Sequence, residues 1–168
     1  MRRTMSILSI YLLILATTPS FAAKGSTSGA HFFSDTSASV DLSTGGLVIH
    51  IDEGGLGQAQ TDYTVTADAS ATYQCFNGGG NHPKASNKQT VGSTVTSSFP
   101  VNPINGRVQV TITVSGTPLA QGSFSCPSGQ DLYLQSVSYT AITIEDTTNG
   151  VTAPILTAAV TNLHLLIP

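Results

Sequence analysis

The sequence predicts an all-β protein: an antiparallel β-sandwich of about eight strands with one disulfide. Three observations support this prediction. Apolar and polar side chains alternate over long stretches, no segment combines a helical period with capping residues, and the chain contains two cysteines. Alternation with a period of two is typical of strands that bury one face. Many such stretches, separated by Gly, Asn and Pro, indicate a sandwich or a small barrel.

The longest alternating stretch, Asp62–Phe76, is the strand around which we expect the fold to be organised. Thr, Ser, Asp and Gln side chains occupy the even positions. The odd positions are apolar and narrow to alanine in the middle, so a second layer can approach closely there. The odd set is Tyr63, Val65, Ala67, Ala69, Ala71, Tyr73 and Cys75.

The first segment, residues 1–22, is predicted to be a signal peptide. Arg2 and Arg3 are followed by the apolar run Ile7–Ala16, which is too short to span a bilayer. Small residues at Ser20 and Ala22 indicate cleavage after Ala22, with cleavage after Ala23 as the alternative. We therefore expect a secreted protein, extracellular or periplasmic, that is not membrane-embedded once the signal peptide is removed.

The charge of the mature chain excludes two classes of partner. Loss of Arg2 and Arg3 leaves four basic residues against nine acidic ones, a formal charge of −5. A sparse and negative charge distribution argues against nucleic acid or an anionic membrane surface as the partner. No cofactor-binding motif stands out, so we predict no cofactor.

The two cysteines, Cys75 and Cys126, are predicted to form a disulfide. Exported proteins mature in oxidising compartments, where a pair of cysteines most simply forms one bridge. No Cys-x-x-Cys pattern or paired histidine accompanies either residue, which disfavours a zinc site.

The remaining strands follow in chain order after a Gly- and Ser-rich lead-in, residues 23–35, that we expect to be flexible. The domain then spans 36–168. In the stretch 131–146 the apolar residues change parity, which predicts one bulge or bend at Ser136 and another near Ala141. The other predicted strands are 36–42, 47–52 (forming a hairpin with the first), 91–99, 107–115, 123–126 and 155–167.

Two resemblances are visible in the cysteine strands. Tyr73-Gln74-Cys75 resembles the tyrosine-corner strand of immunoglobulin domains, and the segment Phe124–Gly129 resembles their first cysteine strand. The order of the two strands is reversed and the chain has no tryptophan, so we interpret this as shared immunoglobulin-like or jelly-roll-like architecture, not membership.

Separately, Tyr73–Val91 together with Gly122–Gly129 resembles short exported proteins of soil bacteria that have no assigned function. This resemblance covers about half of the mature chain and implies nothing about activity.

His50 and Asp52 are the candidate metal ligands. They lie two apart in a predicted strand and therefore share one face. An imidazole and a carboxylate at that spacing can bind a divalent ion or form an acid–base pair. Only two ligands are visible, so a solvated strand face is the alternative interpretation.

The loop Asn77–Lys88 is the candidate ligand-binding segment. It is rich in glycine, and loops fixed at the end of a rigid strand are favoured recognition sites. A long connection between sheets is the alternative. Its hydrogen-bonding side chains are Asn81, His82, Lys84 and Asn87.

Three classes of function are compatible with these patterns. We favour a secreted, non-catalytic module that binds a glycan or a protein, or that serves in surface or matrix structure. The alternatives are a small secreted hydrolase or metal-dependent enzyme, and a secreted inhibitor or toxin-like factor. No converging cluster of His, Asp and Glu is apparent, which is why we do not predict a catalytic residue.

Overall fold

The computed structural model describes residues 29–77, 87–115 and 124–167, and these residues form nine strands in two antiparallel sheets. The predicted all-β fold is confirmed. Within the described ranges there is no helix long and apolar enough to cross a membrane. The predicted signal peptide lies outside the described residues. The strands are β1 (His31–Phe32), β2 (Ser37–Val40), β3 (Leu47–Gly54), β4 (Thr61–Asn77), β5 (Lys88–Val101), β6 (Arg107–Ser115), β7 (Gln130–Asp146), β8 (Val151–Thr152) and β9 (Leu156–Ile167).

The smaller sheet is built around β3. Strand β6 pairs with one edge of β3, while β1 and β2 share the other edge. The predicted hairpin between the first two long strands is confirmed, with Ala38 opposite Ile49. The turn of this hairpin requires glycine at position 45, where φ is +74° and an added Cβ would lie 2.6 Å from a methyl carbon of Leu134.

The larger sheet is built around β4, the strand predicted to organise the fold. It pairs with β5 on one side, from Thr61 to Gln74, and with β7 on the other, from Tyr63 to Asn77. Strands β8 and β9 share the far edge of β7. Both neighbours of β4 are antiparallel to it. Because β8 and β9 share one edge, the sheet is four strands wide and β4 is one of its two central strands.

The two irregularities predicted in β7 are confirmed. The register with β4 shifts once between Leu134 and Ser136, and again between Thr140 and Thr143, where Ala141 has a φ of +48°. Each extra residue returns the following apolar side chains to the buried face. The residues thereby kept on that face are Leu134, Val137, Tyr139, Ile142 and Ile144, all of them buried.

The core lies between the two sheets. Every odd-numbered residue of β4 from Tyr63 to Cys75 is buried, as the alternation predicts. The side chains of this set from Tyr63 to Tyr73 pack with the inward residues of β3, Leu47, Ile49 and Ile51, in one apolar cluster. Two apolar faces packed together in this way form a β-sandwich.

A buried hydrogen bond links the hairpin of the smaller sheet to the larger sheet. The buried Tyr139 hydroxyl, on the larger sheet, donates to the carbonyl of Gly45 in the hairpin of the smaller sheet, at 2.9 Å. A buried phenol without a partner would be costly, so this bond helps to fix how the hairpin lies against β7.

Three local predictions differ from the structure. Phe32, in the predicted flexible lead-in, is in β1 and pairs with Glu53, a contact between residues far apart in sequence. Leu42, the last residue of the predicted first strand, lies beyond the end of β2 and is 64% exposed because the chain turns at Asp41. The segment predicted as a strand at 123–126 is not a strand over its described part, 124–126.

The disulfide Cys75–Cys126 is present, with the two Cα atoms 5.6 Å apart. It joins the buried end of β4 to the segment that precedes β7. The bond therefore lies at the end of the larger sheet where β4 ends and β7 begins. Such a bond is compatible with an extracellular or periplasmic location.

We expect reduction of this disulfide to lower the free energy of unfolding by about 4 kcal/mol, the chain-entropy value for a loop of 51 residues. The measurement is denaturant unfolding with and without dithiothreitol, and the matched control is the Cys75→Ser, Cys126→Ser double variant, which should not respond to the reductant. Peptide mapping of unreduced protein should recover the Cys75 and Cys126 peptides as one linked species. Two titratable thiols in the folded, exported protein would contradict the prediction.

Candidate functional site

The candidate metal ligands, His50 and Asp52, share the outer face of β3 as predicted, but each already has a protein partner. The His50 Nδ1 atom lies 3.1 Å from the Thr111 hydroxyl. Both oxygens of Asp52 accept hydrogen bonds from Arg107, at 2.8 Å from Nε and 2.6 Å from Nη2. No group of three or more His, Cys, Asp or Glu side chains within 29–77, 87–115 and 124–167 is placed to bind a metal ion.

The Asp52–Arg107 pair has a structural explanation. The carboxylate is buried while the arginine side chain is 45% exposed and lies over the ring of Phe33, with the guanidinium carbon 4.8 Å from the ring centroid. Hydrogen bonds from Arg107 lower the pKa of the Asp52 carboxyl, against the opposing effect of burial. The arrangement closes the end of the smaller sheet where β1 meets β3.

The candidate loop connects the ends of β4 and β5. Asn81, His82 and Lys84 lie outside the described residues. Asn87 is described, and its side-chain amide donates to the Gln130 side chain at 3.0 Å. Asn87 therefore links the start of β5 to the start of β7, at the end of the larger sheet that carries the disulfide.

The side of the larger sheet that points away from the core, which we call the outer face, is lined mainly by polar side chains. The even-numbered residues of β4 from Thr66 to Thr72 line its centre, and in these rows cross-strand register places Thr or Gly beside them on β5 and Thr or Ser on β7. Several neighbours are hydrogen-bonded to each other: Thr64 with Ser98 at 2.9 Å, Thr72 with Thr90 at 3.0 Å, and Thr94 with the Asp68 carboxylate at 3.0 Å.

Charge is sparse in the middle of this outer face. In the four rows that cross β5, β4 and β7 from Thr66 to Thr72, Asp68 is the single charged residue. The side chains of β5 in these rows are exposed. A ligand approaching here would meet mainly hydroxyl groups held in register by a sheet.

An aromatic cluster of Phe76, Tyr133 and His164 lies on the same face, at the end next to the disulfide. The rings of Tyr133 and His164 are stacked, with centroids 4.3 Å apart and an interplanar angle of 19°. Phe76 meets both rings edge to face, at 5.3 Å from Tyr133 and 4.9 Å from His164. The three residues come from β4, β7 and β9.

The backbone at His164 is unusual. Its φ of +52° lies in the left-handed region, which β9 enters where its register with β7 shifts. Gln135, in the first bulge of β7, lies with its amide nitrogen 3.2 Å from the His164 Nδ1 atom. The two irregularities thus meet, and together they place the imidazole over the cluster.

Sequence analysis missed this cluster. The alternation predicts that Phe76 and Tyr133 point outward, because each is next to a residue that points into the core. Nothing in the local sequence indicates that these two residues and His164 approach one another. The pairing of β7 with both β4 and β9 creates the contact. The change of parity in β9, which places His164 and Leu166 on the exposed side, was the available signal.

A second missed feature is a buried acidic group at the opposite end of β4. The Glu53 carboxyl accepts a hydrogen bond from the Tyr63 hydroxyl at 2.7 Å, and its other oxygen has no hydrogen-bond partner among the described residues. Asp146, also buried, accepts hydrogen bonds from the backbone amides of Thr148 and Asn149, both at 2.9 Å. Asp146 thus caps the turn after β7.

Burial raises the pKa of Glu53 from 4.5 to about 7, and the negative charge of Asp146 acts in the same direction. A carboxyl with a raised pKa is a common property of general acids. Both Glu53 and Asp146, however, have no solvent-exposed surface, so substrate cannot reach them in this conformation. We therefore assign the pair to the core and not to catalysis.

No family model, no curated protein and no solved structure matches the chain.

We expect the protein to lose stability as the pH rises from about 4.5 to about 7, by up to about 3 kcal/mol. In this window the unfolded chain has released the Glu53 proton while the folded protein retains it, so unfolding becomes more favourable with each unit of pH. Glu53→Gln should remove the slope and exceed the wild type in stability at pH 8.

The measurement is denaturant unfolding at pH 4.5, 6 and 8. Glu145→Gln is the matched control, because it makes the same charge change at an exposed position one residue from Asp146. An unchanged slope in Glu53→Gln would show that another group is responsible.

Proposed function

We propose that the mature protein is exported to an extracellular or periplasmic compartment and acts there as a non-catalytic binding module, with a glycan or a protein surface as its ligand. The observation that supports this proposal is the outer face of the larger sheet. That face presents hydrogen-bonding side chains in regular cross-strand rows, and its β5 side chains are exposed.

The chemistry of the outer face favours recognition by contact over long-range attraction. Hydroxyl groups donate and accept hydrogen bonds without carrying charge, so they match ligands that are themselves neutral and polar. Because the rows are part of a sheet paired on both sides of β4, their side chains are held in place before the ligand arrives. Such preorganisation lowers the entropy cost of binding.

The predicted loop fits the same proposal. It leaves β4 at Asn77 and enters β5 at Lys88, so both of its ends lie beside the aromatic cluster at one end of the outer face. A ligand spanning that end would contact the outer face next to the two ends of the loop.

We expect Thr66→Arg to lower ligand retention at least about tenfold, a loss of about 1.4 kcal/mol. Thr66 lies between Thr96 and Thr143, so the long side chain would project from the centre of the outer face. Thr113→Arg is the matched control, because it makes the same change at an exposed position of β6 in the smaller sheet. A glycan-array screen of the purified mature protein identifies the ligand, and retention of each variant on that ligand gives the result. Equal retention of the two arginine variants would show that the outer face is not the contact surface.

The loop has its own test. Replacing Asn81, His82 and Lys84 together with alanine should abolish retention while changing the free energy of unfolding by no more than about 0.5 kcal/mol, as is usual for surface residues. Thermal unfolding of the same variant is the control. A large loss of stability would indicate that the loop packs structurally, and unaltered retention would place recognition on the outer face alone.

A further inference from the structure

The aromatic cluster differs chemically from the rest of the outer face. The larger part of that face is lined by hydroxyl groups, whereas at the disulfide end the rings of Tyr133 and His164 are stacked over the edge of Phe76. Leu166, which pairs with Tyr133, is 53% exposed. An apolar patch bordered by polar residues is a feature of ligand-binding surfaces.

Hydrogen-bonding groups surround this patch. Gln74 pairs with Tyr133 on one side and with Lys88 on the other, and Gln135 lies beside His164. Within the described part of the chain, the Tyr133 hydroxyl makes no hydrogen bond, and its ring contacts are those with Phe76 and His164. Amide groups and a phenol hydroxyl are therefore available next to the exposed imidazole.

The conformation of His164 is a second, independent observation. Residues other than glycine are uncommon in the left-handed region, and asparagine, aspartate and histidine are the ones enriched there. At this exposed position His164 is held there by stacking on Tyr133 and by its contact with Gln135. Strained backbone that the surroundings maintain is concentrated at functional sites.

We infer that the aromatic cluster, with the amides of Gln74 and Gln135, forms a subsite for one neutral pyranose unit of a polysaccharide. This inference rests on the proposed function and narrows it to one ligand class. The C–H groups on one side of a pyranose ring are weakly positive and pack on the negative face of an aromatic ring. Amide groups can then bind adjacent sugar hydroxyls, each of which both donates and accepts.

The surrounding charges favour a neutral sugar over an acidic one. Among the described residues, Lys88 is the nearest basic residue on the outer face, at the far side of Gln74, and Asp131 lies opposite Phe76. The described part of the patch therefore has one positive and one negative group at its borders and no concentration of positive charge that would select uronic acids.

The experiment is native electrophoresis of the mature protein through gels containing a soluble β-glucan, a xylan or a galactomannan, with polygalacturonate as the acidic comparator. His164→Asn is the informative variant, because it removes the ring while keeping a residue that tolerates the left-handed backbone. We expect it to lower affinity for the neutral polysaccharide at least about tenfold, the order expected for losing an aromatic contact, with an unchanged melting temperature. Tyr133→Phe, which keeps the ring, should lower affinity by less than about threefold, since it removes a single hydrogen bond.

A second measurement locates the contact. Adding the polysaccharide should shift the imidazole resonances of His164 and leave those of His50, on the smaller sheet, in place. Three results would overturn the inference. The His164→Asn variant is retarded as strongly as the wild type, the wild type is retarded by polygalacturonate alone, or it is retarded in none of the gels.

The two proposals fail separately. If Thr66→Arg loses retention while His164→Asn keeps it, the outer face binds the ligand but the aromatic subsite is wrong. If neither variant loses retention of a polysaccharide that the wild type binds, the protein is a binding module but neither the outer face nor the aromatic cluster is its contact surface. Binding of the outer face to a protein ligand without retardation by any polysaccharide leaves the binding module and removes the sugar subsite.

Discussion

The constraint on which this structure depends is that β4 is paired along both edges and buried along one face. A shift of one residue in either pairing would move every apolar side chain of β4 to the opposite side of the sheet. Its buried face narrows to Ala67, Ala69 and Ala71 in the middle, and all three are buried. Small side chains at the centre of one layer leave room for larger ones from the other, and the buried β3 residues Leu47, Ile49 and Ile51 belong to the same apolar cluster. Register, sheet order and the closeness of the two layers are thereby coupled.

The same alternation sends neighbouring acids into different environments. Asp52 and Glu53 are adjacent in sequence, but one faces the outer side of β3 and the other faces the core. Arginine hydrogen bonds lower the pKa of Asp52, whereas burial raises that of Glu53. Two carboxyl groups of the same strand therefore respond to pH in opposite senses. Asp52 stabilises the fold until the pH falls below its ordinary range, whereas the contribution of Glu53 is lost as the pH rises from about 4.5 to about 7.

Recognition by a sheet face imposes a different requirement from recognition by loops. Side chains on paired strands stand at fixed spacings. Affinity therefore depends on whether the ligand is flat and whether its hydrogen-bonding groups repeat at the same spacings. In this protein the polar rows and the aromatic cluster occupy one face of one sheet, beside the disulfide. Cys75 and Phe76 are consecutive residues, so the bond that secures the inner side of β4 lies directly behind the aromatic ring on its outer side. The candidate subsite is built on the most constrained end of the strand.

Several features depend on short-range patterns in the sequence and could be predicted from it. They are the all-β class, the buried face of β4, the hairpin of β2 and β3, the two irregularities of β7 and the pairing of the two cysteines. Each can be deduced locally, because side chains in a strand alternate and an extra residue reverses the alternation. Contacts between distant segments could not be deduced in this way. The short strand β1, the partners of His50 and Asp52, the burial of Glu53 beside Asp146, and the meeting of Phe76, Tyr133 and His164 all depend on which strands lie next to each other. That choice is made by packing of the whole sandwich, because many strand orders satisfy the same alternation and only tertiary structure selects one of them.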